Sequence, residues 1–265
     1  MTLVPPWTYP PSVPAPVDPR VVQDWTLLDV ADSQSYGGGT VNPLNASNFD
    51  DFTWAQDGTT GRWSIGFTDN ADQVDGIREL PQLQWEPSAL FTAALENGQS
   101  IQVAVKFVSA SVPTAYGIGP CVFAGYGAAG AAGVGSLGGF GVTAALEGGI
   151  AGNARTIDTL TTLDVVREEF DWPTDYAGVG LIYEFGFRQD AVGNDRTPII
   201  SVAAYLADGT CFYRYATTGP ASDVDPADFL LGFGFYSRFS TTPTGTYSIV
   251  MEQPKYRLLD AEAMP

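Results

Sequence analysis

Two carboxylates, Glu169 and Asp171, have the i, i+2 spacing that places side chains on one face of a β-strand. Glycoside hydrolases use two carboxyl groups about 5–10 Å apart across a cleft. Trp172, directly after the pair, could serve as a platform for a sugar ring. However, a chain with 30 Asp and Glu residues contains such pairs by chance. A solvated acidic edge, followed by a turn at 173–175, is the favoured interpretation.

The chain contains no histidine. This excludes Ser-His-Asp and Cys-His catalysis, proton transfer by His, and most catalytic zinc sites. There is no P-loop, and Gly117 and Gly119 are followed by Pro120 rather than by a dinucleotide-binding fingerprint. We therefore expect no cofactor and no enzymatic activity.

One acidic loop has oxygen ligands of the kind that calcium prefers, at Asp69, Asn70, Asp72 and Asp75. Their spacing does not match the EF-hand pattern. A solvated loop is the favoured interpretation, and we expect no metal to be required for folding.

The segment 176–215 has the pattern of three consecutive antiparallel strands. Apolar residues alternate with small or polar ones through 179–188 and again through 200–206. Asp208-Gly209 is a hairpin signal between the second and third strands. On this pattern Glu184 lies opposite the apolar residues of its strand and faces solvent.

The remaining segments have weaker patterns, and some of them fit more than one secondary structure. Strands are expected at 21–30, at 233–239, at 246–251 and as a pair around Asp57-Gly58. Residues 89–95 form either the first arm of a hairpin at Asn97-Gly98 or a helical turn with Gly98 as its C-cap. The segment 159–172 fits a helix or a strand, 227–231 fits a short helical turn after Asp225-Pro226, and 255–265 reads as a polar tail.

Residues 107–146 carry no charge and include many glycines and alanines. Their length would admit a membrane segment, but their glycine density is too high for a typical membrane helix. A Gly/Ala-rich loop between two buried strands, near 121–126 and 140–146, is favoured. Membrane insertion is the alternative.

Composition sets the class of the protein. The chain has 265 residues, of which 45% are hydrophobic and 12% aromatic, with 30 Gly and 19 Pro. These values favour a globular, turn-rich, all-β protein. We predict an antiparallel jelly-roll-like β-sandwich that forms a single domain over residues 21–265, preceded by a Pro-rich N-terminal arm at residues 1–20.

The arm contains seven prolines with Trp7 and Tyr9 between them. Proline at this density prevents helix and central strand and favours extended polyproline II. The arm could be a disordered tail, pack on its own domain or dock on a neighbour. Docking on a neighbour is favoured, because a stiff segment loses little conformational freedom on binding. The expected contact residues are Pro5, Pro6, Trp7, Tyr9, Pro10 and Pro11.

The net charge is −18, and Lys106 and Lys255 are the only lysines. Nucleic-acid binding is excluded because it requires clustered Lys and Arg. A partner is expected to be neutral or basic where it meets this protein. Cys121 and Cys211 are interpreted as buried free thiols, with a disulfide left open. The N-terminus does not have the pattern of a signal peptide, so synthesis in a cytoplasm is expected.

Three features together resemble the concanavalin-type lectin/glucanase jelly-roll sandwich: the strands at 176–215, the strand 231–235 and the closing strand 245–251. Lectins of this type pair their metals with a His that is missing here. The glucanases of this fold carry Glu-x-Asp-x-x-Glu, of which Glu169 and Asp171 are present, whereas Thr174 occupies the last position. The resemblance implies the fold and argues against both activities.

A Pro-rich arm on an acidic, His-free sandwich also resembles bacteriophage virion components. We therefore expect a non-enzymatic structural or adhesive virion protein, such as a capsid decoration, head-fibre or tail protein. Its expected partners are other virion proteins and copies of itself, and a host-surface glycan is a further candidate. The alternative is a carbohydrate-binding module or a glycan hydrolase that uses a carboxylate pair.

Overall fold

The computed structural model describes the following residues: 20–28, 35–36, 39–44, 50–69, 79–86, 90, 93–94, 96–111, 118–126, 140–145, 152–158, 164–170, 177–189, 196–218, 229–237 and 245–260. They form the strands β1 (Val21–Leu27), β2 (Ser35–Tyr36), β3 (Gly39–Leu44), β4 (Asp50–Gln56), β5 (Trp63–Asp69), β6 (Glu79–Glu86), β7 (Gln99–Ser111), β8 (Ile118–Tyr126), β9 (Phe140–Ala145), β10 (Gly152–Asp158), β11 (Asp164–Phe170), β12 (Gly180–Gln189), β13 (Arg196–Tyr205), β14 (Cys211–Thr218), β15 (Phe229–Ser237), β16 (Gly245–Met251) and β17 (Lys255–Asp260). The pairings between these strands are antiparallel, and they build two sheets.

The 13-residue strand β7 lies at the centre of a nine-stranded sheet. One of its edges pairs with β12, and the sheet continues from there through β13 to β14. Its other edge pairs first with β17 and then with β16. Beyond β17 lies β1, and beyond β16 lie β5 and β4. The long strand therefore ties the N-terminal strand and the C-terminal strand to the middle of the chain.

The second sheet has eight strands in the order β11-β10-β9-β8-β15-β6-β3-β2. Aromatic contacts join it to the nine-stranded sheet. Trp63 of β5 meets Phe233 of β15 edge to face, with 5.6 Å between ring centroids. Trp85 of β6 lies 5.5 Å from Tyr256 of β17. The two sheets therefore pack face to face as a β-sandwich, with the core between them.

The core follows directly from period-two alternation. On β7, Ile101, Val103 and Val105 point between the sheets and are buried, as are Leu181 and Tyr183 on β12. Burial of this apolar surface is the main force that stabilises the sandwich. The three-strand prediction for 176–215 is confirmed, because β12, β13 and β14 pair in sequence. The jelly-roll-like all-β fold class is likewise confirmed.

Two local expectations are corrected. The Asn97-Gly98 hairpin is wrong, since the Asn97 N–H donates to the carbonyls of Ala93 and Ala94 and Gly98 adopts a φ of 69°. This is the helical turn with a left-handed glycine at its end that formed the alternative. The polar tail at 255–265 is also wrong in its first part, because Lys255–Asp260 is strand β17 and its Leu259 is fully buried.

Three segments with ambiguous sequence patterns form strands over part of their length. Residues 164–170 of the segment 159–172 form β11, and residues 229–231 of the expected helical turn belong to β15. The uncharged segment contributes the two expected strands, β8 and β9, whereas the expected Gly/Ala-rich loop between them lies outside the described residues. None of the helical residues that the structure describes belongs to a helix long and apolar enough to cross a membrane.

Candidate functional site

Glu184 lies near the middle of β12, on the side of the nine-stranded sheet that faces away from the core. Its neighbours Tyr183 and Phe185 point inward and are buried. The antiparallel register places Glu184 opposite Gln102 of β7 and Ser201 of β13. The expected face is confirmed. Exposure to solvent is not, because Glu184 is only 4% exposed.

Both carboxylate oxygens of Glu184 accept short hydrogen bonds. Arg20 Nη1 donates to Oε1 over 2.7 Å, and Arg20 Nη2 reaches Oε2 at 3.4 Å. Ser100 Oγ donates to Oε1 over 3.1 Å, and Gln102 Nε2 donates to Oε2 over 2.7 Å. The carboxylate is therefore paired with a guanidinium and held by two neutral donors, which is the condition for burying a charge.

Arg257 of β17 extends this arrangement. Its Nε donates to Gln102 Oε1 over 2.8 Å, which fixes the orientation of the amide that binds Glu184. Its guanidinium carbon lies 4.6 Å from the ring centroid of Trp25 in β1, a cation–π contact. We call the set Arg20, Ser100, Gln102, Glu184 and Arg257 the Glu184 cluster. Through side chains it connects β7, β12 and β17 with Arg20, the residue that precedes β1.

An apolar patch lies on the same face of the sheet beside the Glu184 cluster. It contains the buried residues Ala104, Ile182, Ala203 and Tyr205, with Trp25 and Cys211 packed against it. Burial raises the pKa of the Tyr205 hydroxyl well above its usual value, so this phenol stays neutral. Trp25 therefore covers both the charged and the apolar part of the face.

Arg20 joins the N-terminal segment to the sheet. Besides the ion pair with Glu184, its carbonyl accepts a 2.7 Å hydrogen bond from the N–H of Asp260 in β17. Arg20 itself is 6% exposed. The residue from which the Pro-rich arm extends is thus fixed by its backbone and by its side chain.

The geometry of the cluster is structural rather than catalytic. A general acid or base must reach a substrate proton. The oxygens of Glu184 are instead occupied by Arg20, Ser100 and Gln102 beneath the surface. In the part of the chain that the structure describes, no group of three or more His, Cys, Asp or Glu residues is placed to hold a metal ion.

The sites predicted from the sequence are mostly located elsewhere. The arm residues Pro5, Pro6, Trp7, Tyr9, Pro10 and Pro11 lie outside the described residues. Glu169 belongs to β11, where it pairs with Asn153 of β10, whereas Asp171, Trp172 and the acidic loop after Asp69 fall outside the described residues. Trp85 is fully buried in the core, so its ring cannot stack on a sugar.

The sequence reasoning missed Arg20, Ser100, Gln102 and Arg257 as partners of Glu184. One signal was present, since Ser100 and Gln102 alternate with the apolar core residues of β7 and had to face the other way. Their pairing with Glu184 spans 84 and 82 residues of sequence. Only the register of β7 against β12 brings these residues together.

No protein-family model matches the chain, and no curated protein sequence matches it. Solved structures do. An endo-1,3-beta-glucanase from Streptomyces sioyaensis matches with a TM-score of 0.51 and 13% identity over 94% of this chain and 99% of its own. A protein of unknown function from Shewanella oneidensis MR-1 matches with a TM-score of 0.50 and 14% identity over 92% and 89%. The lectin UEA-II in complex with galactose matches at a TM-score of 0.45 and 11% identity over 91% and 99%. At these identities the similarity shows the fold alone, an antiparallel jelly-roll-like β-sandwich.

Proposed function

We propose that this protein is a non-enzymatic adhesive component of a larger assembly, such as a viral particle. In this proposal the Pro-rich arm attaches the protein to the assembly, and the sandwich presents a carbohydrate-binding surface. The observation that carries the proposal is the fixation of Arg20, the last residue of the arm, by Glu184 and Asp260.

A fixed starting point suits an arm that attaches the protein to something else. Tension on the arm is transmitted through Arg20 to β12, near the centre of the sheet, instead of to the edge strand β1 alone. The arm itself is stiff, and Trp7 and Tyr9 are the aromatic types that dominate interface energetics. The assembly named by the sequence resemblance is a virion, with capsid decoration, head fibre and tail as candidate positions.

Carbohydrate is the ligand class that we propose for the sandwich. The glucanase with the same fold acts on a glucan by its printed name, and the sequence resembles the same lectin/glucanase group. The net charge of −18 disfavours polyanions, so we propose a neutral glycan. Glu184 is not available to cleave a glycan, because its carboxylate is used to hold the sheet together.

Arm deletion tests the attachment. Residues 20–265 should fold, because Arg20 is retained, but should no longer be incorporated into the assembly purified from the producing cells. A full-length chain with Trp7→Ala and Tyr9→Ala should show the same loss in smaller degree. Incorporation of the deleted chain at the level of the full chain would contradict the proposal.

A further inference from the structure

The outward side of the nine-stranded sheet consists of two parts that differ in exposure. Around Glu184, Ile182 and Ala203 this side is buried, with exposed fractions of 4% or less. The other part lies on β4, β5, β16 and the last residues of β7, where the outward residues are exposed or half-buried. The ion pair of Lys106 and Glu252 lies at the boundary, since Lys106 precedes the end of β7 and Glu252 follows β16. The second part is therefore accessible to a ligand.

The register of the four strands determines which residues share the accessible part. Trp63, Ile65 and Phe67 of β5 are buried in the core, so the residues that alternate with them face outward. The pairings of β5 with β4 and β16, and of β16 with β7, extend this assignment across the sheet. The outward residues that bear a hydroxyl are here called the hydroxyl face: Thr53, Ser64, Ser109, Ser111, Thr246 and Ser248.

The hydroxyl face carries no charge, although the net charge of the protein is −18. The outward positions between its residues are occupied by Ala55, Gly66 and Val250, which are uncharged as well. Within the part of the chain that the structure describes, none of the six hydroxyls forms a hydrogen bond with another protein group. The hydroxyl of Ser100, by contrast, donates to Glu184. The hydroxyls of the face are therefore available to an external partner.

The chemistry of these side chains matches that of a sugar. The hydroxyl of Ser or Thr both donates and accepts hydrogen bonds, as a sugar hydroxyl does, whereas a carboxylate only accepts them. Protein partners rely on aromatic and other large side chains at the centre of an interface, and the hydroxyl face has none. A flat, neutral, hydroxyl-rich ligand is the partner that such a surface fits.

We propose that the hydroxyl face is the surface through which this protein binds the neutral glycan. The inference rests on the proposed function, to which it adds the location of the ligand. The glycan lies across β4, β5, β16 and the end of β7, on the outward side of the nine-stranded sheet. The arm and the Glu184 cluster are not part of this surface.

The hydroxyl face selects a long or insoluble glycan over a short soluble sugar. Each protein hydroxyl exchanges a hydrogen bond to water for one to the sugar, so a single contact gains little. No aromatic ring of the face adds stacking energy. The hydroxyls recur in rows across strands that are about 4.8 Å apart. A repeating polymer can contact several of them at once, and the weak contacts then add up.

Two exposed residues in one row of the face are suited to a test. Ser64 and Ser109 are each in register with Val250, on opposite sides of it. Ser64→Glu with Ser109→Glu places two long charged side chains on the face, and Ser64→Ala with Ser109→Ala removes only the hydroxyls. The matched control is Val22→Glu with Ala216→Glu, which adds the same charge at exposed positions of the same sheet outside the face.

Co-sedimentation of the full chain with insoluble neutral β-1,3-glucan gives the readout, and thermal melting shows that each variant is folded. The glutamate pair should weaken binding at least about tenfold, because it removes several contacts of a multivalent surface. The alanine pair should weaken binding less, and the control pair should bind as the wild type does. If the glutamate pair melts well below the wild type, the alanine pair decides.

Two failures can be told apart. If the wild type is depleted by the glucan and the folded variants are depleted equally, the hydroxyl face is overturned and the proposed function stands. If the wild type is not depleted by any polysaccharide, the inference and the proposed carbohydrate binding both fail. Release of the bound protein by a short soluble oligosaccharide of the same sugar, at equal mass, would also overturn the inference.

Discussion

At the level of single residues, Glu184 shows how a carboxylate on a central strand is used for structure. Its charge is compensated by Arg20, and Ser100 and Gln102 satisfy the remaining lone pairs. Buried ion pairs of this kind add little net stability relative to an apolar pair, but removing one partner leaves the other charge buried without its counter-charge. The cluster therefore specifies where β1 and the arm attach.

The first prediction concerns this pair. Glu184→Gln leaves Arg20 buried without its counter-charge, so the free energy of unfolding should fall by about 3–5 kcal/mol. Arg20→Gln should have a similar effect, and the double variant should cost less than the sum of the two. Urea unfolding of the four proteins measures the coupling. Additive costs would show that the two side chains do not interact.

An ion pair nearer the surface supplies the matched control. Lys106 Nζ lies 3.2 Å from Glu252 Oε1, and their side chains are 21% and 37% exposed. Solvent screens such a pair, so Glu252→Gln should cost less than about 1 kcal/mol. An equal loss in the free energy of unfolding for Glu184→Gln and Glu252→Gln would contradict the claim that burial makes the Arg20–Glu184 pair the more important of the two.

The second prediction concerns the turn between β4 and β5. The N–H of Thr60, its hydroxyl and the N–H of Thr59 all donate to Asp57 and hold the pKa of this carboxyl below its usual value of 3.8. The contribution to stability is therefore present above the pKa of the unfolded chain and is lost as pH falls through the lower pKa of the folded protein.

Two substitutions at this turn separate charge from hydrogen bonding. Asp57→Ala should lower stability near neutral pH, and its difference from the wild type should shrink toward about pH 3. Asp57→Asn keeps an acceptor but does not titrate. Urea unfolding across this range measures both. A difference between Asp57→Ala and the wild type that grows toward acid would contradict the assignment.

The side of the strand on which Glu184 lies could be predicted from sequence, because alternation assigns each residue to one face. Its burial could not be predicted. The decisive partner, Arg20, is 164 residues away, and it belongs to a segment that composition assigns to the arm. Contacts over such separations depend on strand order, which a periodic pattern does not encode.

At the level of elements, the meander β12–β13–β14 was predictable because it is local and strongly periodic. Strand β17 was missed because its sequence includes Lys255, Arg257 and Asp260 and so reads as polar. The structure explains its position, since Arg257 is buried in the Glu184 cluster and Leu258 and Leu259 are buried as well. When the charged residues of a strand are paired with residues far away in the sequence, the sequence pattern alone does not predict the strand.

The third prediction tests the close approach of Gly178 to Ala207, which lies in the turn between β13 and β14. Gly178 precedes β12 with a φ of 81°, and a Cβ at this position would lie 2.5 Å from the Cβ of Ala207. Gly178→Ala should therefore destabilise the protein by about 1–3 kcal/mol. Gly58→Ala is the control, because nothing lies within 4 Å of its added Cβ. Thermal melting compares them, and equal melting temperatures would refute the constraint.

The fourth prediction separates the arm from the sandwich. Deleting residues 1–19 should leave the melting temperature within a few degrees of the full chain, because the Glu184 cluster stays intact. Extending the deletion by one residue removes Arg20 and should lower the melting temperature clearly, by the mechanism of the first prediction. A chain that already fails to fold without residues 1–19 would show that the arm packs on its own domain.

At the level of the whole molecule, the protein is an antiparallel jelly-roll-like β-sandwich with a net charge of −18, in which Arg20 is held by Glu184 and Asp260. The fold class was predictable from composition and strand patterns. The ligand was not, because this fold serves as a scaffold for different activities and the site decides among them. Carbohydrate binding without cleavage is the claim that joins these observations.

Co-sedimentation with insoluble neutral β-1,3-glucan, with reducing ends counted in the supernatant of the same samples, tests this claim most directly. The account predicts that the full chain is depleted from solution by the glucan and that reducing ends do not increase. It also predicts weaker depletion by an anionic polysaccharide such as alginate, because like charges repel. Absence of depletion by any polysaccharide would contradict carbohydrate binding. Release of reducing ends that is abolished by Glu169→Gln with Asp171→Asn would establish an enzyme instead.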